Sequence, residues 1–558
     1  MQNIISFFIS IAVFFFNLTA SNVPEAKSQD NFTELSDIFE EYTIGETVYI
    51  LNSSTFTSQN DRFTAIALQG LVAKVSPQIF VTSSSLDETY IKAIEETGTE
   101  ISRSDENGNL WTLETLITKF KSYIKDGGYI LYCADESNKG LNIATNYATL
   151  NGWLPVPEEL EDMAINAGLT MKKDISEDKY SAYYQWKFFE KNKQNFSKAA
   201  VIHQSQEITG LRDLAIQQGF YVFFTDDDII SELLFRRRVL NYFGDNTHIL
   251  GWVKYEVAFV DSASKAGNMI SPSDHSHNNS ILASITCDIP EQKTTKNTYT
   301  DETKHYTALV MSDGDNMQWI QNGYSEYFGK LALEDNFPMT WSFPPILQDF
   351  SPVTAKTMYE AASDRDYFMA GVSGAGYMHP TQYPRKALIE FTDKTAAAMA
   401  KSDMEYVQIL DDTPENELDE VKLINSLKYY TRYDNIKGGI ISLDPARYAG
   451  GEGRIYFVDD KPFLTYRLSL WHPTGEKQNV TTEWLDEQAD IVNSYPSDVH
   501  SINGYSVINI HPWSISTESL SYFASQLDDD VVLITLEELM DMINANIPHE
   551  NAKISIEQ

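Results

Sequence analysis

The strongest constraint on the fold is a series of apolar runs after residue 300, each ending in polar or aromatic residues. The first, residues 306–316 (YTALVMSDGDN), is rich in β-forming residues and stops at Asp313, Gly314, Asp315 and Asn316. Seven further runs follow it: MTWSFPP, FMAGVSGAGYMHP, EYVQILDD, GGIISLDP, FLTYRLSLWHP, VINIHPWS and VVLI. The pattern predicts about eight β-strands.

Between most of these runs lie segments in which apolar positions recur every three or four residues, as in residues 385–402, 417–434 and 516–527. Strands that alternate with helices of this length predict βα units and a mainly parallel sheet. Over about 250 residues, a closed or slightly deformed (β/α) barrel is the expected form. An open doubly wound sheet is the main alternative.

The part of the chain before residue 300 shows the same alternation on a smaller scale. Strand-like and helix-like segments predict one α/β domain over residues 21–170 and a second α/β domain with a linker over residues 171–298. The barrel-like domain then occupies residues 299–558. The predicted fold class is therefore α/β, with a C-terminal (β/α) barrel-like domain preceded by two smaller α/β domains.

The first 20 residues predict export. Residues 4–16 (IISFFISIAVFFF) are almost wholly apolar, too short to span a bilayer comfortably, and Ala20 is a plausible cleavage point, so we expect a signal peptide and a secreted protein. After its removal no stable membrane insertion is expected. The formal charge of -38 and the absence of a basic patch argue against nucleic acid as a partner.

Several motifs together resemble one family. With GAGYMHP at residues 374–380, the chain resembles the GxGYxYP family, which is named for that motif and described as glycoside hydrolases by inference. Residues 68–81 (LQGLVAKVSPQIFV), the ILGW segment with Glu256, SDGDN and INIHPW are similar to family segments in family order. His379 stands where the motif has its second tyrosine. The resemblance implies the domain plan and a carbohydrate substrate.

Glycoside hydrolysis needs one carboxylic acid to protonate the leaving oxygen and a second carboxylate that attacks the sugar or activates water. Rigid strands of α/β enzymes present such groups at their C-terminal ends. The sequence therefore predicts catalytic residues at two strand ends, namely Asp313, Asp315, Asp411 and Asp412. Which of them would be the acid stays open, as does helix capping as an alternative role for these aspartates.

Sugar binding uses aromatic faces and planar polar groups, and further residues of these types lie at the predicted strand ends. An arginine beside the carboxylates would keep them ionised or hold an acidic sugar. The predicted substrate-binding residues are Glu256, Trp341, Tyr377, His379, Asp444, Arg467 and His511.

Two other functions fit part of the same evidence. Asp313, His379 and His511 could form an Asp-His-His metal site, as in metal-dependent carbohydrate esterases of the deacetylase type. Alternatively, the chain could be a non-catalytic glycan-binding protein on an enzyme-like scaffold. No cofactor is required for the favoured glycosidase, although Asp313, Asp315 and Asn316 could bind a single Ca²⁺ or Mg²⁺.

Overall fold

The computed structural model describes residues 23, 26, 38–134, 140–178, 180–226, 228–323, 337–411, 419–443 and 447–549. The predicted signal peptide, Asp412 and Asp444 lie outside these residues. Within them, no helix combines the length and the hydropathy that a membrane crossing requires.

Three small parallel sheets precede residue 300. The first has the order β2-β1-β3, the second β5-β4-β6 and the third β10-β9-β7-β8. Their strands are β1 (Thr47–Leu51), β2 (Ile79–Val81), β3 (Glu100–Ser102), β4 (Gly128–Tyr132), β5 (Leu154–Pro157), β6 (Thr170–Asp174), β7 (Ala200–His203), β8 (Tyr221–Phe223), β9 (His248–Gly251) and β10 (Met269–Ser271).

Helices connect these strands and join the three sheets. They are α1 (Gln59–Ala73), α2 (Asp87–Glu96), α3 (Leu113–Lys119), α4 (Gly140–Asn151), α5 (Glu161–Asn166), α6 (Ala182–Asn192), α7 (Arg212–Gln218), α8 (Ile230–Phe243), α9 (Glu256–Lys265) and α10 (Asn279–Leu282). Helix α7 packs on α1 and α4. At this junction the buried Arg212 donates to the Asn142 side chain at 2.8 Å, so the second and third sheets share a polar contact in their common core.

The C-terminal region forms a larger sheet with the order β16-β17-β15-β14-β13-β12-β11-β19-β18, and β20 pairs with the first half of β11. Its strands are β11 (His305–Met311), β12 (Met339–Phe343), β13 (Asp366–Ala370), β14 (Tyr406–Leu410), β15 (Gly438–Ser442), β16 (Ile455–Val458), β17 (Lys461–Thr465), β18 (Leu468–Leu470), β19 (Tyr505–Ile510) and β20 (Val531–Ile534). Each of the eight predicted apolar runs overlaps at least one of these strands.

The sheet differs from the expectation in two respects. β16 pairs antiparallel with β17, so the sheet is mixed, although its other pairings are parallel. The hairpin turns through Asp459 and Asp460, which both adopt positive φ (50° and 64°) as the tight hairpin turn requires. The strand order leaves β16 and β18 at its two ends, and it does not by itself show the predicted barrel.

The helices of this region are α11 (Met317–Gly323), α12 (Leu347–Phe350), α13 (Pro352–Ala361), α14 (Arg385–Lys401), α15 (Glu420–Tyr430), α16 (Thr482–Asn493), α17 (Thr517–Ser525) and α18 (Leu536–Asn546). All of them except α18 pack on one face of the sheet, where alternate strand residues such as Met311, Trp341 and Ile409 are buried, whereas α18 packs in the cluster on the other face. The other alternate residues, such as Val310, Tyr406 and Ile440, form a second buried cluster. A multi-domain α/β fold is therefore confirmed.

Candidate functional site

A small pocket lies beyond the C-terminal ends of β11, β13 and β14, where it is also bordered by the third sheet's domain. Its volume is about 140 Å³. The residues that line it are Trp252, Glu256, Pro272, Asp313, Asp315, Asn316, Val372, Tyr377, Gln408, Leu410, Tyr448 and Trp513. Three carboxyl groups thus meet in one pocket, and none of the described lining residues is lysine, arginine or histidine.

Two of the carboxyl groups come from the turn after β11. Asp313 adopts a left-handed backbone (φ 59°), and Gly314 is pressed so closely on Ser342 that a Cβ atom there would lie 1.9 Å from the Ser342 carbonyl oxygen. Asn316, rather than either aspartate, caps α11, because its Oδ1 accepts from the Trp319 N–H at 3.1 Å. The helix is therefore capped by Asn316 and not by Asp313 or Asp315. Both aspartates line the pocket.

The third carboxyl group comes from another domain. Glu256 begins α9, and its Oε1 accepts a hydrogen bond at 3.1 Å from the Tyr377 hydroxyl, which belongs to the GAGYMHP segment. This segment is tied to β10, because Ile270 and Tyr377 exchange two backbone hydrogen bonds of 2.7 and 2.8 Å. A Cβ atom on Gly376 would lie 3.0 Å from the Met269 side chain, so glycine permits this close approach.

Gln408 forms a polar floor beneath the carboxyl groups. Its Oε1 accepts from the Ser342 hydroxyl at 2.7 Å, and its Nε2 donates to Ser442 and Tyr466 at 3.1 and 3.2 Å. Four segments of the sheet are joined through this one side chain, which is 1% exposed. Hydrogen-bonded networks of this kind hold the groups of a site in fixed positions.

Burial makes ionisation of the acidic groups in the pocket unfavourable. It raises the pKa of Asp313 to about 6, against the effect of hydrogen bonds from Ser312 and Trp513. The Asp315 carboxyl has its pKa raised well above the usual value by burial and then by the charges of Asp313 and Glu256. Burial and the Glu256 charge likewise raise the pKa of the Tyr377 phenol. Carboxyl groups with raised pKa values are characteristic of general acids.

His511, which the sequence analysis gives as a substrate-binding residue, lies directly beside Asp313. Its Nε2 is 3.8 Å from Asp313 Oδ2, its Nδ1 lies 2.9 Å from the Ser514 hydroxyl, and its ring stacks on Trp471 at 3.7 Å. Burial, with Arg447 and Lys477 nearby, lowers the pKa of His511 to about 3. The imidazole is therefore neutral, and its approach to Asp313 is not an ion pair.

Asp411 and Trp341 do not line the pocket. Side chains along a strand alternate between its two faces, and in β14 it is Gln408 and Leu410 that face the pocket. Asp411 is the residue after Leu410, so its side chain points to the other side. Its buried carboxyl group accepts hydrogen bonds from the Thr381 N–H and hydroxyl at 3.3 and 3.0 Å. Trp341 packs under the helices, where its indole N–H donates to Asp366 at 2.7 Å.

His379 and Arg467 also lie away from the pocket. His379 is fully buried, its backbone N–H donates to Ser264 at 2.9 Å, and its ring contacts that of Tyr377. Arg467 donates to carbonyl oxygens near the start of β19, the opposite end of that strand from the pocket, and stacks on Tyr495 at 3.7 Å. Of the predicted site residues, the pocket therefore brings together Asp313, Asp315, Glu256 and Tyr377, with His511 adjacent.

Some pocket residues were not predicted. Gln408 had a recognisable signal, because a glutamine inside the apolar run YVQIL must find hydrogen-bond partners within the core. Tyr448 lies after β15, just beyond residues 444–446, which the structure does not describe. No sequence pattern distinguished it. Trp319 borders Trp513 at the mouth, with ring centroids 5.0 Å apart.

The described residues contain no group of three or more His, Cys, Asp or Glu side chains placed to hold a metal ion. Asp313, His379 and His511 are all described, and they do not converge as the esterase alternative requires. A larger cavity of about 770 Å³ lies elsewhere, lined in part by residues 38–44 and 283–289. It receives none of the carboxyl groups described above, so its size does not make it the better candidate.

The sheets and the pocket define the class: a multi-domain α/β protein with carboxyl groups gathered at strand C-termini. Three family models match, described as "GxGYxYP_N second domain" over residues 127–188, "GxGYxYP third domain" over residues 198–284 and "GxGYxYP putative glycoside hydrolase C-terminal domain" over residues 303–544. The chain belongs to the GxGYxYP family. The predicted family membership is thus confirmed.

A crystal structure described as a "putative hydrolase" from Bacteroides thetaiotaomicron has the same fold. Its TM-score is 0.81 at 22% sequence identity, and the match covers 94% of this chain and 99% of that one. A "putative polysaccharide deacetylase" from Mycobacterium smegmatis matches with a TM-score of 0.31 at 12% identity, over 46% of this chain and 96% of that one. No curated protein matches the chain.

Proposed function

We propose that this protein is a glycoside hydrolase whose active site is the pocket of Glu256, Asp313 and Asp315. The observation that carries the proposal is the convergence of three carboxyl groups from two domains in one enclosed, aromatic-walled pocket. Carboxyl groups in unequal environments can divide the acid and base roles between them. The family description supports the same reaction.

Asp313 is the general acid of this proposal. Its pKa of about 6 keeps a substantial protonated fraction in slightly acidic solution, and solvent still reaches 21% of its side chain. It gives its proton to the glycosidic oxygen as the bond to the anomeric carbon breaks. Glu256, held by the Tyr377 hydroxyl, is the second carboxylate, which attacks the anomeric carbon or takes a proton from the attacking water.

Asp315 completes the pocket as a carboxyl group whose protonated form is favoured, because burial and the charges of Asp313 and Glu256 raise its pKa well above the usual value. In that state it donates a hydrogen bond to a sugar hydroxyl, whereas an ionised carboxylate would only accept one. The pocket of about 140 Å³ is smaller than the roughly 300–1,000 Å³ of typical ligand sites. It therefore admits one sugar ring of a longer substrate.

The same proposal includes a closed sheet. Only Tyr466 and Arg467 separate β17, which pairs with β15, from β18, which pairs with β19. One bent strand over residues 461–470 would therefore join the two halves of the sheet into a ring. The buried cluster that β11, β13, β14, β15, β17 and β19 share with α18, and the contacts of Gln408 across the sheet, support this closure. Export through residues 1–20 and a carbohydrate substrate are parts of the proposal as well.

Product analysis by mass spectrometry, on a panel of plain and acetylated oligosaccharides, tests the proposal. Chain shortening is expected for the wild type and for Asp411→Asn, which is a matched control outside the pocket, but not for Asp313→Asn. Loss of acetyl groups from intact chains would favour the esterase, and binding without any product would favour a glycan-binding protein. An arm with EDTA, restored by Ca²⁺ or Mg²⁺, tests the predicted divalent site.

A further inference from the structure

Trp513 is an open aromatic surface at the mouth of the pocket. It follows β19 in the loop that also carries His511, lines the pocket beside Asp313 and is 38% exposed. The chain has nine tryptophans, all within the described residues, and Trp513 is the most exposed of them. A large apolar ring left open beside a polar pocket is a common feature of ligand sites.

The Trp513 ring is held in one orientation on two sides. Its edge meets Trp319 with centroids 5.0 Å apart and planes at 62°. Its indole lies close enough to the Asp313 carboxyl group to lower the pKa of that group. The side chain is thus ordered before any ligand arrives, and a ring that is already ordered loses little entropy when a ligand covers it.

We propose that the exposed ring of Trp513, with Trp319 at its edge, is the leaving-group subsite, where it stacks the sugar on the reducing-end side of the scissile bond. This rests on the proposed function, because a general acid must reach the glycosidic oxygen, which places the leaving sugar next to Asp313. The pocket behind it holds one ring, so the next ring of the substrate lies at the mouth. That is where Trp513 is exposed.

The charge of the surroundings defines the ligand class. The ionisable groups that line the pocket near this subsite are carboxyl groups and tyrosines. These groups disfavour an anionic sugar inside the pocket, although Arg447 and Lys477 act on His511 beside it, and the apolar ring faces of neutral pyranosides suit an indole. The ligand is thus a neutral oligosaccharide of at least two sugar units, one in the pocket and one on Trp513.

Steady-state kinetics of Trp513→Ala and Trp513→Phe test the subsite. The substrates are cellotriose, maltotriose, xylotriose and mannotriose, each compared with the glycosyl fluoride of its sugar, whose leaving group is small and needs no proton. Trp513→Ala is expected to raise KM about tenfold or more for the hydrolysed trisaccharide and to change KM for the fluoride less than about twofold. Trp513→Phe keeps a ring but loses the indole N–H near Asp313, so its KM is expected to stay within about threefold of wild type on both substrates, whereas its kcat can change.

Equal KM changes for trisaccharide and fluoride, or a trisaccharide KM that rises as much in the Phe variant as in the Ala variant, would overturn the subsite. Thermal melts of both variants separate this result from misfolding. If no trisaccharide is hydrolysed, calorimetric titration of the same sugars decides. Binding that weakens in Trp513→Ala but not in Trp513→Phe would keep the subsite and reject the hydrolase, whereas no binding by the wild type would reject both.

Discussion

Removal of the Tyr377 hydroxyl group tests whether Glu256 must be held in position for the proposed reaction. Tyr377 is 1% exposed, and its hydroxyl donates to Glu256 at 3.1 Å. A hydrogen bond to a charged group contributes about 1.5–3 kcal/mol. At 1.36 kcal/mol per factor of ten in rate, Tyr377→Phe is therefore expected to lower kcat by about 10- to 150-fold if Glu256 must hold its position in the transition state.

The matched control is Tyr383→Phe. Tyr383 is also a buried tyrosine at the contact with the third domain, where its hydroxyl bonds to Asn246 and to the Gly267 carbonyl oxygen at 3.0 and 2.7 Å. Both variants are expected to lose about 1–3 kcal/mol of unfolding free energy in urea titrations, because each leaves buried polar groups unpaired. Only Tyr377→Phe should lose kcat. Wild-type kcat in Tyr377→Phe, or equal losses in both variants, would refute the role given to Glu256.

Three other predictions concern pH, the domain contact and the pocket floor. Because burial raises the pKa of Asp313 from 3.8 to about 6, this group favours the folded state fully below about pH 4 and loses that contribution by about pH 6. Asp313→Asn should therefore stabilise the protein by up to about 3 kcal/mol at pH 7 but little at pH 4, and kcat/KM of the wild type should fall above about pH 6. Gly376→Ala should cost about 1–3 kcal/mol, with part recovered by adding Met269→Ala; strictly additive unfolding energies would contradict the contact. Gln408→Ala should destabilise by about 1–3 kcal/mol, and an unchanged urea midpoint would count against the polar floor.

Much of the C-terminal sheet could be predicted because its strands are buried on both faces. Such strands appear as continuous apolar runs, and the predicted helix at residues 385–402 is found at Arg385–Lys401. β16 was missed because an Asp-Asp turn is a weaker hairpin signal than one with glycine. The division at residues 170 and 298 stays a prediction.

The site was harder to predict than the strands. Asp313 and Asp315 could be found from a cluster of carboxyl groups at a strand end, but Asp411 has the same signature and faces the other way. A shift of one residue along a strand moves a side chain to the opposite face of the sheet. Which face a residue takes depends on where the strand's pairing with its neighbour ends. Glu256 reaches the pocket through the packing of two domains, which no local pattern encodes.

The backbone bridge between Ile270 and Tyr377 has a consequence for inheritance. Many enzymes exchange whole catalytic modules, because each module brings a complete set of reactive groups. Here a transferred segment of residues 303–544 would lack Glu256 and would also lack β10, the strand to which the Tyr377 backbone is hydrogen-bonded. Recombination at the linker before residue 303 would therefore separate Glu256 from the two aspartates that line the same pocket, so under the proposed function the third domain and the C-terminal domain must be inherited as one unit.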